Sequence, residues 1–264
     1  MRAWAAGSVM MAMAVLASST ASATDPAVLA ELAPTGVVRV ALVEAPNAGV
    51  FFVGRSPDGK PRGVTHDLGR GLATELGVMA EFRVFPNSGD ATEATRKGEV
   101  DLAFMPVDAT RRELVAFGPA YYDLESTYLV TGASGVTDVK EVDREGMRVI
   151  GIASTTTIRA SGRTLTKAQP QAVPSVAEAV AMMKDGRADA FALSRDSLPG
   201  VRDQVPGSRI VTGGFQQTSV SVAVPKSRPA ALAFASAWLS RAKKDGTVRR
   251  IFDTHGLGDQ KVAD

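Results

Sequence analysis

The chain has 264 residues, 45% of them hydrophobic and 22% charged, so it can fill a sizeable core of one or two lobes. Its net charge of +2 gives no bulk reason to expect nucleic acid or a membrane surface as partner. It has no cysteine, which excludes disulfides and thiolate chemistry, and its two histidines, His66 and His255, stand too far apart for a metal motif, so no metal or cofactor is expected.

Arg2 is the first charge and Asp25 the next. Between them Ala3 to Ala17 is an uncharged run, and Ala21-Ser22-Ala23 has the small-x-small form of a signal peptidase site. Residues 1–23 therefore read as a cleaved secretory signal, because the apolar part is shorter than the roughly 20 residues of a membrane span. The remainder, residues 24–264, alternates strand and helix. Val37 to Val43 suits a strand buried on both faces. Ser56-Pro57-Asp58-Gly59 is a turn. Thr65 is placed to cap a helix that buries Leu68, Leu72 and Leu76 and stops at Gly77. A strand over Glu81 to Phe85 and a short helix over Ala91 to Lys97 follow. A buried strand, Val100 to Met105, then ends at Pro106.

The second half repeats this pattern. The pattern predicts a helix over Val139 to Arg144 and a strand over Arg148 to Ile152. Ser175 caps a helix with Val176, Ala179, Val180 and Met183 on one face, and Asp189 to Leu193 is a strand. Lys97-Gly98-Glu99-Val100-Asp101-Leu102-Ala103-Phe104 echoes Asp185-Gly186-Arg187-Ala188-Asp189-Ala190-Phe191-Ala192. The echo predicts two lobes of similar construction. Ser219 to Val224 is a late strand, Ala230 to Lys244 a long helix, and the segment after His255 a loose tail.

Several groups fall at strand ends, where open α/β sheets bind ligands. Asp108 can cap a helix from Ala109, with Arg111 in its first turn. Arg111 then serves either as a fork for a carboxylate or as a local partner of Asp108. Thr155, Thr156 and Thr157 follow the strand ending near Ile152, as caps or as donors to an anion. Ser194, Arg195 and Asp196 end the echoed strand. Asn47, Phe51 and Phe52 follow the first strand. Glu125, among Tyr121, Tyr122 and Tyr128, flanks the presumed crossover and either meets a ligand ammonium or braces a hinge. There is no nucleophile elbow, phosphate loop or dinucleotide fingerprint.

Five segments, in order, resemble one family. Gly63-Val64-Thr65-His66-Asp67-Leu68 is similar to its Gly-x-x-x-Asp-Leu helix entry. Gly98 to Tyr122 is similar to its Gly-x-x-Asp…Arg…Phe-Ser-x-Pro-Tyr signature, and Val149 to Thr157 to its Thr-Thr turn. Gly186 to Phe191 resembles Gly-x-x-Asp-Ala, and Lys244-Asp245-Gly246-Thr247 its closing Asp-Gly-Thr. The family is the extracytoplasmic solute-binding proteins, family 3, which serve ABC importers of amino acids and related anions. The resemblance implies an α/β, two-lobed periplasmic-binding-protein type II fold with a ligand cleft between lobes and two crossover strands. Lobe 1 would be residues 24–128 with 215–264, and lobe 2 residues 129–214. It implies a monomeric periplasmic, non-enzymatic protein that hands a small carboxylate-bearing solute to an ABC permease in the inner membrane.

By the same resemblance Arg111 and the pair Thr156–Thr157 hold the solute's carboxylate; the strand-end groups Asp108, Thr155, Ser194, Arg195, Asn47 and Glu125 are the further candidate contacts, with Asp108, Glu44 or Glu125 as receivers of an ammonium. The chain departs from the family in four places, the first being Met105 and Pro106 where the family often has small serines and glycine. Thr110 directly precedes Arg111 where the family has Thr-x-x-Arg, so the loop reads as two residues shorter. Ser194 stands where the family has the aspartate for an ammonium, with Arg195 beside it. The aromatic-Pro-Phe element after the first strand is missing. The solute is thus either an amino acid or another organic acid. Two alternatives use the same scaffold: a cyclohexadienyl-dehydratase-like enzyme with Glu125 or Asp108 as its acid, and a sensor that presents its closed form to a membrane receptor.

Overall fold

The computed structural model describes residues 25–45 and 49–264; the expected signal segment and Asn47 lie outside the described residues. The first half holds α1 (Pro26–Leu32), β1 (Val37–Val43), a small hairpin of β2 (Gly54–Arg55) and β3 (Pro61–Arg62), α2 (Val64–Glu75), β4 (Met79–Phe85), α3 (Ser88–Arg96), β5 (Leu102–Pro106) and α4 (Ala109–Leu114). The long β6 (Val115–Val130) leads to β7 (Val149–Ile152), α5 (Thr156–Thr164), β8 (Gln171–Val173), α6 (Val176–Lys184), β9 (Ala190–Ser194), α7 (Leu198–Arg202) and β10 (Arg209–Ile210). The chain returns through β11 (Gln216–Pro225) to α8 (Pro229–Lys244) and α9 (Thr247–Thr254).

The strands pair in the order β4-β1-β5-β11-β6-β9-β7-β8, with β10 on β6. The triplets β4-β1-β5 and β8-β7-β9 are each parallel. β6 and β11 run antiparallel to their neighbours and join the triplets. β6 pairs with β11 up to Ser126 and with β9 from Ser126 onward. This is a two-lobed fold with β6 and β11 as crossovers. β5, β7 and β9 are buried along their whole length, because helices cover both faces of a parallel sheet.

The sequence echo has a physical cause. In the first lobe, Arg39 on β1 donates Nε (2.8 Å) and Nη2 (2.6 Å) to the two oxygens of Asp101, and Nη2 also to the Gly98 carbonyl (2.8 Å). In the second, Arg148 donates Nε (2.9 Å) and Nη2 (2.6 Å) to Asp189, and Nη1 to the Gly186 carbonyl (2.5 Å). In each clamp the aspartate also accepts from the arginine's backbone N–H. Gly98 and Gly186 turn out of α3 and α6 at φ of 71° and 65°, a left-handed conformation that favours glycine. Gly-x-x-Asp is therefore a strand clamp at the end of the sheet opposite the strands' carboxyl ends.

Three expectations change. Thr65 does not cap α2: the helix starts at Val64 after Gly63, where an added Cβ would press on Phe52 and Val53, and Thr65 is buried in the first turn. The Val139–Arg144 helix is one 3₁₀ turn, Val139–Glu141, closed by a capping box from Asp138 and Glu141. Asp143 then leaves the helical path, its carboxylate collecting the backbone N–H groups of Thr166, Lys167 and Ala168. The tail is docked, not loose. A register shift between β6 and β11 leaves Tyr121 opposite no β11 partner, and its carbonyl accepts from Ala263 N (3.0 Å). Val262 bridges to Tyr122, whose hydroxyl donates to Gln260 (2.9 Å). His66 and His255, remote in sequence, both meet Asp67, at 2.9 and 2.8 Å.

The two clamps differ in depth. Asp101 is fully buried and also takes Arg228 (2.5 Å), whereas the Arg148 side chain is 53% exposed. Asp101→Ala should cost about 3–5 kcal/mol, because two shielded guanidinium groups lose their counter-charge. Asp189→Ala should cost about 1 kcal/mol or less. Urea denaturation of the two variants measures the difference, and equal losses would refute it.

Candidate functional site

β5 ends at Pro106, and Asp108 caps α4 by accepting from Arg111 N (2.8 Å). That cap puts Arg111 in the first turn and sends its side chain back over the strand end. The guanidinium donates to the Pro106 carbonyl (2.8 Å), to Ser88 Oγ at the start of α3 (2.6 Å), and across the lobes to the Ser154 carbonyl (3.4 Å). Arg111 is 1% exposed, and its Nε has no partner among the described residues. All its acceptors are neutral oxygens. Burial first, then the nearby Arg159 charge, pull its pKa down to about 9, with Asp108 partly offsetting this. It still carries its proton at neutral pH. A buried cation without a bonded carboxylate is costly to fold and well suited to receive an anion.

Asp108, not Thr110, is the cap, and it stands three residues before Arg111. The second oxygen of its carboxylate accepts from Arg159 on α5, from Nε (2.8 Å) and from Nη2. The cap residue of one lobe is thus paired with a helix of the other.

Thr155 caps α5 through Ile158 N (3.2 Å), and Thr156 and Thr157 are buried in its first turn, where helix N–H groups lack helical partners. Thr157 Oγ1 lies 3.4 Å from Ser126 Oγ on the crossover β6. Just before the cap, Ser154 has a φ of 57°, the one positive value of a non-glycine residue among the described residues. Strain of that kind concentrates at functional sites. It aims the Ser154 carbonyl at Arg111. The lobes are in direct contact here, since a Cβ on Gly89 would collide with Ser154 and Asn87 Nδ2 donates to the Pro174 carbonyl (3.2 Å).

The remaining expected residues do not join Arg111. Ser194 is buried and donates to Ser197 Oγ (2.9 Å). Arg195 turns away to pair with Glu125 and to donate to the Gly213 carbonyl (2.7 Å). Arg195, Glu125 and Asp196 line a separate groove of about 1080 Å³ shared with the C-terminal segment. Phe51 and Phe52 are buried edge to face in the core, with ring centres 4.8 Å apart.

Sequence reasoning left Ser88 and Arg159 out, and it passed over Asp196 after noting it at the strand end. Asp196 Oδ2 accepts from Val50 N (3.0 Å), while its buried Oδ1 has no partner among the described residues. Burial pushes its carboxyl above the usual aspartate value, although the nearby Ser194 hydroxyl and the bond from the Val50 N–H oppose this. Burial and then the Asp196 charge hold the Tyr121 phenol well above its usual value, so it stays a neutral donor to the Val50 carbonyl (3.0 Å). The signal was available in part: Asp196 lies two residues beyond Ser194, the position where an acid was sought.

Residues 47–258 match the family described as bacterial extracellular solute-binding proteins, family 3. Among solved structures, the chain is similar to the solute receptor for L-cysteine of Neisseria gonorrhoeae (TM-score 0.78, 20% identity, 88% of this chain and 97% of that one). It is also similar to a mutant of ArgBP from T. maritima (TM-score 0.74, 22% identity, 86% and 98%). A third is the ancestral amino acid-binding protein AncCDT-1, a precursor of cyclohexadienyl dehydratase (TM-score 0.72, 26% identity, 86% and 98%). The membrane-bound lytic murein transglycosylase F of Vibrio parahaemolyticus serotype O3:K6 (strain RIMD 2210633) is 35% identical over 89 residues. That match takes in 33% of this chain and 16% of the transglycosylase.

The orphan carboxyl of Asp196 predicts a pH signature. Because its folded pKa is raised, the native state holds this proton more tightly than the unfolded chain, so its contribution falls as pH rises from the usual aspartate range through the raised value. Asp196→Asn should remove that loss. Urea titrations of solute-free protein across mildly acid pH read the slope, and an unchanged slope counts against the assignment.

Proposed function

The chain belongs to the bacterial extracellular solute-binding proteins, family 3, and we propose that it captures a small carboxylate-bearing solute in the periplasm for an ABC permease of the inner membrane. The buried guanidinium of Arg111 carries this reading: its Nε is unpartnered and its acceptors are all uncharged. A solute carboxylate gives it the anion it lacks, with Thr156 and Thr157 donating from the other lobe. Lobe 1, residues 24–128 with 215–264, and lobe 2, residues 129–214, close on the solute. Only the closed form completes both sets of contacts.

Asp196 lines the separate groove with Glu125 and Arg195, and its buried Oδ1, without a partner among the described residues, is an acceptor there for a donor group. Ser194, at the family's acid position, is bonded to Ser197. Binding is favoured over a dehydratase-like reaction, because the acids such a reaction would draw on, Glu125 and Asp108, are each held by an arginine.

A thermal-shift screen of L-amino acids, dicarboxylates and keto acids tests the proposal. A true solute at about 100 times its Kd adds about 2.7 kcal/mol and should raise Tm by about 5–10 °C. Arg111→Gln should abolish that shift and leave the solute-free fold intact, since a buried guanidinium among neutral partners adds little net stability. A hit that shifts the variant as much as the wild type would reject the role of Arg111.

A further inference from the structure

Arg159 has no place in the carboxylate site as described, yet its ion pair with Asp108 crosses the lobes beside that site; among the described residues, Arg195–Glu125 crosses them at the separate groove. Its partner, Asp108, occupies a cap position where a neutral hydroxyl would suffice for α4. A bare carboxylate there would set a negative charge beside the Arg111 subsite and repel an anionic solute. Arg159 cancels that charge, with Nε at 2.8 Å and Nη2 on the same oxygen. The two side chains are 26% and 13% exposed, so the pair is only partly screened by water.

Other bonds between the lobes are also made by protein atoms alone. They include Asn87 to the Pro174 carbonyl, Arg111 to the Ser154 carbonyl, Val50 N to Asp196 and, beside the crossover β6, Arg195 to Glu125 and Ser126 to Thr157. None of these contacts needs a solute. We propose that Arg159 is a further determinant of the site: with Asp108 it forms an ionic clasp that draws the cleft shut before a solute binds and keeps the Arg111 subsite fit for an anion. Closure then does not wait for the solute. Part of the free energy of closing is supplied by the clasp, and that part weakens with salt.

The absence of cysteine makes the test direct. Lys97→Cys and Lys184→Cys, exposed positions just beyond α3 and ending α6, carry spin labels in opposite lobes. The protein is unfolded, dialysed free of solute and refolded, and the interlobe distance is read by double electron–electron resonance. The wild type should populate the short distance at about 0.01 M salt and shift toward the long one at about 1 M. Asp108→Asn, which keeps a cap acceptor, and Arg159→Gln should each lower the closed-to-open ratio about fivefold and lose the salt response. The double variant should fall no further than either single one. Circular dichroism confirms that each variant folds. An unchanged closed fraction and salt response in both variants would overturn the proposal, as would a wild type that stays open at every ionic strength.

Discussion

The arginine–aspartate clamp at the start of each central strand is the constraint on which the rest of this molecule depends. A parallel strand pair has no tight turn to set its register. Here the register is set by a side chain at the amino end of β1 or β7, which grips the aspartate just before β5 or β9 and the glycine carbonyl ahead of it. Once those ends are level, the carboxyl ends are level too. Pro106 and Ser194 end β5 and β9, and their loops come to the space between the lobes. Arg228 adds a third grip on Asp101 and also holds the Glu31 carbonyl, so α1 and α8 close over the same clamp.

The charges at the other end of the sheet are sorted by how they are compensated. Glu125 and Arg195 satisfy each other beside a groove that excludes Arg111. Asp108 is shared between its own helix and Arg159. Arg111 and Asp196 are left incomplete, each with one buried polar atom unpartnered among the described residues. Incomplete buried charges are poor for stability, so a fold that keeps them implies a use for them. On the proposed reading, the Asp108–Arg159 pair separates closing the cleft from recognising what is inside it.

Much of this was legible in the sequence because it is local. The caps Asp108 and Ser175 are legible in the sequence, and the hydroxyl run at 154–157 contains the cap Thr155, since each bond reaches three residues along the chain. The Gly-x-x-Asp echo was visible as a repeat, although its arginine partners stand 62 and 41 residues upstream and carry no local mark. Thr65 misled because a good capping residue lay two positions past a glycine that the packing of Phe52 and Val53 made the true start. The tail misled because its partner, the unpaired carbonyl of Tyr121, exists only once β6 and β11 have slipped out of register.

The amino-acid sequence by itself determined the alternating elements, the helix caps, the duplicated lobe and the placing of Arg111 in the first turn of a helix after a buried strand. Each of these follows from apolar periodicity and short-range hydrogen bonding. Tertiary structure alone decided which charges are spent on each other. It turned Arg195 to Glu125, brought Arg159 across to Asp108, and buried Asp196 with one oxygen unpartnered. The reason is physical: a charge finds its partner through space at about 3 Å. Separations of 51 and 70 residues along the chain say nothing about that distance until the sheet has set it.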